Sequence, residues 1–138
     1  MIAIFVSAAA SLVLTVIAWS LQLVQLPLLA KIGRAEFPGY IRAHRMRNTI
    51  LMAGPMIVEA IAAIWAHGVV LRIALAVIWA ITFLRITPLF GKLMDGYDEV
   101  VVANLSRWNL VRSLLWTGRM AAFVTFIVMG YASHELRP

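Results

Sequence analysis

The chain reads as an all-α integral membrane protein, a single four-helix transmembrane bundle over residues 1–138 with both termini outside. Three observations predict this. The apolar residues gather into long unbroken runs. The composition, 63% hydrophobic and 13% charged with a mean hydropathy of +0.92, lies far from that of soluble domains, in which about a quarter of residues are charged. The basic residues crowd two of the connections between the runs. Continuous runs also favour helices over barrel strands, which alternate in segments of about ten residues.

The first run, Ile2 to Ala30, is longer than the ~20 helical residues that cross ~30 Å of hydrocarbon. It lacks a basic n-region, so it reads as a retained helix and not as a signal peptide. Small residues from Ser7 to Ser11 allow a neighbouring helix to come close. Pro27 and Pro38 bracket its end and the loop that follows, where Phe37-Pro38-Gly39-Tyr40 predicts a turn or a short interfacial segment. The second run, Thr49 to Ala66, carries Gly54-Pro55, which predicts a kink, and the small residues Ala60, Ala62 and Ala63. A tight turn at His67-Gly68 leads into the third run, Val69 to Phe90, with a second kink predicted at Thr87-Pro88. The fourth extends from about Leu110 to Tyr131. The two hairpins share no sequence repeat, so an inverted-repeat transporter is not expected.

Charge sets the orientation. The first connection carries Lys31, Arg34, Arg42, Arg45 and Arg47 against Glu36, and the third carries Lys92, Arg107 and Arg112 with Asp95, Asp98 and Glu99. Only Arg72 lies near the second connection and Arg137 in the tail, so the first and third connections are expected to face the cytoplasm, in a bacterial inner membrane. The net charge of +6 is then a topology signal, and anionic lipid headgroups are expected partners where nucleic acid is not. Cysteine is absent, which excludes disulfides, thiol chemistry and cysteine-held metals, and also leaves a clean background for labelling. A cysteine at Gly39 is expected to resist an impermeant thiol reagent in intact cells while one at Ser133 reacts. The reverse pattern would invert the topology.

The chemistry of interest lies in ionisable residues that the runs cannot keep out of the membrane. At the helical rise, Glu59 lies about 16 Å along its helix from Asn48, and Arg119 the same distance from Trp108 on a helix of the same direction. The two share a depth near the midplane. A lone charge there costs about 2.5–3.5 kcal/mol on insertion scales, so an ion pair between them is expected. Asn109, Arg112, Trp116 and Arg119 recur on one helical face, as do Asn48, Met52, Pro55 and Glu59, with His44 one turn earlier. With Arg85, Gln22 and Gln25 they predict a polar interior layer. That layer is either a clasp that fixes helix pairing or a pocket beside Arg119 and Trp116 for a headgroup, quinone, pigment or aromatic substrate. Arg85, Arg112 and Arg119 together exceed what Glu59 can neutralise. The five tryptophans, Trp19, Trp65, Trp79, Trp108 and Trp116, suit packing and interfacial roles first.

Other chemistries lack their residues. His44, His67 and His134 do not share a helix at ligand spacing, so no metal is expected. No phosphate loop, activated serine or intramembrane carboxylate pair is present, and the cluster Asp95, Asp98 and Glu99 reads as a solvated loop able to meet the basic first connection. The order Gln25-Leu26-Pro27, then Phe37, Tyr40 and His44-Arg45, then Glu59, then Asn104 to Arg112 resembles uncharacterised small four-helix bacterial membrane proteins that are similar to the anthrone-oxygenase-like family. A likeness to the four-helix protoporphyrinogen oxidase would imply haem, but Gln22 and Gln25 stand where that family has its helix-one histidine. The expected role is a structural or accessory subunit of a larger membrane assembly, with other membrane subunits as partners. The alternative is a membrane enzyme or binding protein for a lipophilic aromatic or quinone-like molecule.

Overall fold

The computed structural model describes the backbone of residues 2–65 and 68–135 and the side chains of residues 2–65 and 68–129. Among these it is all-helical, and four helices are long and apolar enough to cross a membrane. They are α1 (Ile2–Leu29), α2 (Phe37–Trp65), α3 (Val69–Leu93) and α4 (Glu99–Glu135). His67 and the side chains of His134 and Arg137 fall outside the described residues.

Two helices begin well before their apolar runs. α2 starts at Phe37 where hydropathy marks Thr49, and α4 at Glu99 where it marks Leu110. Hydropathy registers the stretch suited to hydrocarbon, whereas the helix continues for as long as its backbone bonds can be closed. The segment Phe37-Pro38-Gly39-Tyr40 is accordingly the first turn of α2, with proline in the turn that has no use for its missing N–H. α4 is capped by Asp98, whose carboxylate accepts the backbone N–H groups of Val100 at 2.8 Å and Val101 at 3.2 Å. That cap accounts for part of the acidic cluster. What joins the first and third connections is aromatic and basic: the Arg34 guanidinium lies 3.8 Å from the Tyr97 ring centre, and Phe37 meets the same ring edge-on. At the other end Gly68, with φ of 121°, makes the entry to α3, a conformation that side-chain-bearing residues rarely adopt.

The predicted kinks resolve in two ways. α2 runs on through Pro55. In α1 and α3, by contrast, the turn before an exposed proline widens: Leu21–Gln25 precedes Pro27 and Thr82–Ile86 precedes Pro88. In these wide turns the bonds span one extra residue, Leu26 N–H to the Leu21 carbonyl and Thr87 N–H to the Thr82 carbonyl. The Thr87 hydroxyl donates to that same Thr82 carbonyl at 3.0 Å. A proline ring crowds the carbonyl one turn back, and the extra residue makes room for it. Where the sequence predicts no repeat, the structure therefore shows one of conformation. A single spacing carries Leu21 to Thr82, Pro27 to Pro88, Lys31 to Lys92 and Asn48 to Asn109. Both halves run in the same direction, so this is not the inverted arrangement.

The helices pack as a ring with one gap. Among the described residues α1 lies closely along α2 and α4, and α4 along α3, whereas the main approach of α2 to α3 is near the Lys31–Arg47 end, hereafter the basic end. Small residues lie buried where α1 meets its neighbours: Ser7, Ala8, Ala10 and Ser11 of α1, with Ala62 and Ala63 of α2. Apolar layers fill the axis. Leu21, Leu29, Phe37, Ile41, Phe90 and Leu105 pack at the basic end, Leu14, Ile78 and Trp116 in the middle, and Ala8, Leu71 and Phe123 beyond. Outward residues such as Leu23, Ile64, Val70 and Leu84 are exposed and apolar, the reverse of a soluble protein's surface.

Candidate functional site: a buried arginine beneath a side groove

Glu59 and Arg119 form the predicted pair. Arg119 Nη2 lies 3.1 Å and its Nε 3.2 Å from Glu59 Oε1, and the same oxygen accepts the Ser11 hydroxyl. Arg119 Nη1 donates to the Leu71 carbonyl at 3.0 Å, and the guanidinium stands 5.0 Å from the Phe123 ring centre. All four helices thus meet at one buried point. Its geometry is that of a clasp: the charges cancel and most donors are used. Glu59 Oε2 and the Ser7 hydroxyl have no protein partner there.

Nearer the basic end, the polar stripe of α4 turns inward as its spacing predicts. Asn109, Arg112, Trp116 and Arg119 are each 3% exposed or less. Asn109 is the node: its Nδ2 donates to the Ala18 carbonyl at 3.2 Å and to Gln22 Oε1 at 2.9 Å, and its Oδ1 accepts Arg112 Nη2 at 2.6 Å. Gln22 goes on to the Ser106 hydroxyl at 3.0 Å. Gln25 belongs to a separate chain, donating to Ser20 and accepting Asn48 at 3.5 Å, while Asn48 meets His44 Nε2 at 3.1 Å. His44 also lies between the rings of Tyr40 and Phe90. Arg85 is not in this layer. It is exposed on the outer flank, 5.1 Å above the Trp108 ring, because its turn of α3 directs it away from α4's buried stripe.

The gap between α2 and α3 is a groove of about 380 Å³, within the range of small-molecule sites. Met52 and Met56 line it from α2, Trp79, Phe83 and Phe90 from α3, and Arg112 reaches it from α4 behind. The neighbouring hydroxyls of Thr82 and Thr87 are spent on carbonyls of their own helix. Arg112, 1% exposed, meets Asn109 but no carboxylate among the described residues, and its Nε has no protein acceptor. The indole N–H groups of Trp79 and Trp116 are likewise buried without one. Trp116 sits one turn beyond Arg112, in the apolar cluster that Met52, Met56 and Trp79 pack against. The unmatched positive charge is therefore on Arg112, and the hollow lies beside it instead of beside Arg119.

Sequence reasoning identified Arg112 but not the groove. Its signals were present in the spacings Met52, Met56 on α2 and Trp79, Phe83 on α3, each one turn apart, but these read equally as core. Among the described residues no three His, Asp or Glu side chains come together as a metal site would need. No family model matches the chain, and neither a curated protein nor a solved structure is similar to it.

Proposed function

We propose that the chain is an integral membrane protein, with its basic end cytoplasmic, that binds a lipophilic small molecule admitted sideways from the bilayer into the α2/α3 groove. The observation that carries this is Arg112: a buried guanidinium without a carboxylate, on the floor of a groove walled by methionine and aromatic side chains. An unpaired charge inside the membrane is unfavourable by about 2.5–3.5 kcal/mol or more. Ionisable residues kept there in spite of that mark binding sites and pathways. A ligand that brings an acceptor group to Arg112 offsets the cost in the bound state. Quinones, aromatic acids and lipid-like acids all combine an apolar body with such an acceptor. The exposed basic residues Lys31, Arg34, Arg42 and Arg47 suit anionic headgroups around the same end. An accessory-subunit role in a bacterial inner-membrane assembly is the competing proposal. It draws on the exposed apolar flanks, which lipid would cover equally well.

The test is to extract the protein in mild detergent and identify what accompanies it by native mass spectrometry. A small lipophilic molecule is expected at about one per chain with the wild type and Arg85→Met, and is expected to be lost with Arg112→Met. Recovery of bulk lipids alone, in bulk proportions, or retention by Arg112→Met would reject the site; a stoichiometric protein partner across the groove would favour the subunit.

A further inference from the structure

Resting on the reading of the groove as a binding site, we infer that its occupant is a single-chain amphiphile with a carboxylate head, a long-chain acid, held head-inward on Arg112. Polarity, charge and shape each contribute to the choice.

The first is the sign of the unmet hydrogen-bonding capacity. Around the groove and the cluster behind it, the buried side-chain atoms without a protein partner are Arg112 Nε, Trp79 Nε1 and Trp116 Nε1. All three are donors and none can accept. A head that only accepts meets this set, whereas an ammonium head adds donors and a like charge beside Arg112, and a neutral hydroxyl brings a further donor. The unpartnered acceptor Glu59 Oε2 belongs to the clasp, whose other oxygen already holds Arg119 and Ser11.

The second is charge. The buried ionised side chains among the described residues are Glu59, Arg112 and Arg119. Glu59 and Arg119 cancel, which leaves one positive charge for the occupant to balance. A monoanion does so, and a carboxylate matches the planar donor edge of a guanidinium.

The third is shape. On the far side of Trp79 a second, more open hollow lies along the same seam, lined by Ala60, Ala63, Leu75 and Ala76. Arg72, which has interactions of its own, stands in its lining as well. Trp79 borders both hollows. Alanines on the facing helices leave a trough there. Toward the basic end the groove is bordered instead by Arg45, whose Nη1 is 3.5 Å from the Met94 sulfur. The seam thus offers a buried guanidinium that meets no carboxylate among the described residues, with a mostly apolar trough on its far side. A head on Arg112 would direct its chain past Trp79, away from the basic end, as an acid in the leaflet on that side would point. At about 380 Å³ the groove lies within the small-molecule range, which suits a single chain with a compact head.

Tryptophan fluorescence of the purified protein in detergent tests this, with 9,10-dibromostearate as quencher and its methyl ester as the neutral counterpart. Saturable quenching by the acid is expected, at least tenfold tighter than by the ester. Arg112→Gln should weaken the acid at least tenfold with little effect on the ester, Arg112→Lys should restore part of the affinity, and Trp79→Phe should remove much of the signal. Arg112→Lys and circular dichroism guard against reading a misfolded variant as a binding loss. Equal quenching by acid and ester, equal quenching by a dibrominated phosphatidylglycerol, or quenching only by a neutral decyl-quinone would overturn the carboxylate while leaving the groove as a site. No saturable quenching by any of the four probes would overturn the site as well.

Discussion

Glu59→Gln is expected to lower stability in detergent by about 3–5 kcal/mol, because it leaves Arg119 buried in an apolar interior without its counter-charge. Arg119→Gln should cost a similar amount by stranding Glu59, which is wholly buried. The double variant is expected to lose less than the two losses added, since two neutral amides replace two charges and nothing remains uncompensated. The coupling should lie within the ~0.5–3 kcal/mol found for residues in contact. In Glu59→Gln the Ser11 hydroxyl keeps an acceptor and the Leu71 carbonyl keeps Arg119, which moderates that figure. Unfolding by added denaturing detergent, followed by circular dichroism, measures all three variants. Strict additivity would show that the contact has no energetic weight.

Asn109→Leu is expected to have the next largest effect. The substitution keeps the branching of the side chain but removes both contacts to α1, at the Ala18 carbonyl and at Gln22, and takes away the acceptor of Arg112 Nη2. Interhelical hydrogen bonds in membranes average about 0.6 kcal/mol and reach about 1.7. Two of them, with a buried guanidinium left short of an acceptor, give a loss of about 2 kcal/mol. Arg85→Leu is the contrasting case. Its guanidinium is exposed over Trp108, and an exposed contact of that kind is worth about 0.5–1 kcal/mol. The same unfolding titration ranks the two. If Arg85→Leu proved as damaging as Asn109→Leu, the outer face would have been mistaken for the inner one.

How much of this was legible beforehand depends on the range of the interaction involved. The four helices follow from apolar runs alone, a local property, and were misjudged only where polar residues extend α2 back to Phe37 and α4 back to Glu99. The Glu59–Arg119 pair was also legible, because two charges at matched depth in hydrocarbon have few other solutions. Arg85 was misplaced because depth says nothing about azimuth, and on a helix that is apolar all round no amphipathic stripe fixes which side faces in. The groove was illegible for a further reason. It depends on which pair of helices stays apart, and the residues of α2 and α3 speak to that only once the open seam is set beside the closed one. The wide turns left a faint mark, a proline in each half at matched spacing, visible only once the conformations are compared.

The conformational repeat has a consequence for the gap itself. If α1 corresponds to α3 and α2 to α4, then the α4/α1 seam and the α2/α3 seam are equivalent positions in a pseudo-two-fold bundle, and one is zipped while the other stands ajar. Asn109 closes the first by reaching Ala18 and Gln22, with Trp19 joined to Thr117 at 3.0 Å alongside. The spacing that carries Asn48 to Asn109 carries Ala18 to Trp79 and Gln22 to Phe83. At the open seam an asparagine is again present, but a large indole stands where the small methyl was and a phenyl ring where the amide was. Bulk replaces a close approach at one position, and an aromatic face replaces a hydrogen-bonding partner at the other. The two matching seams differ at these positions, and exchanging Trp79 and Phe83 for alanine and glutamine is expected to let the second seam close like the first.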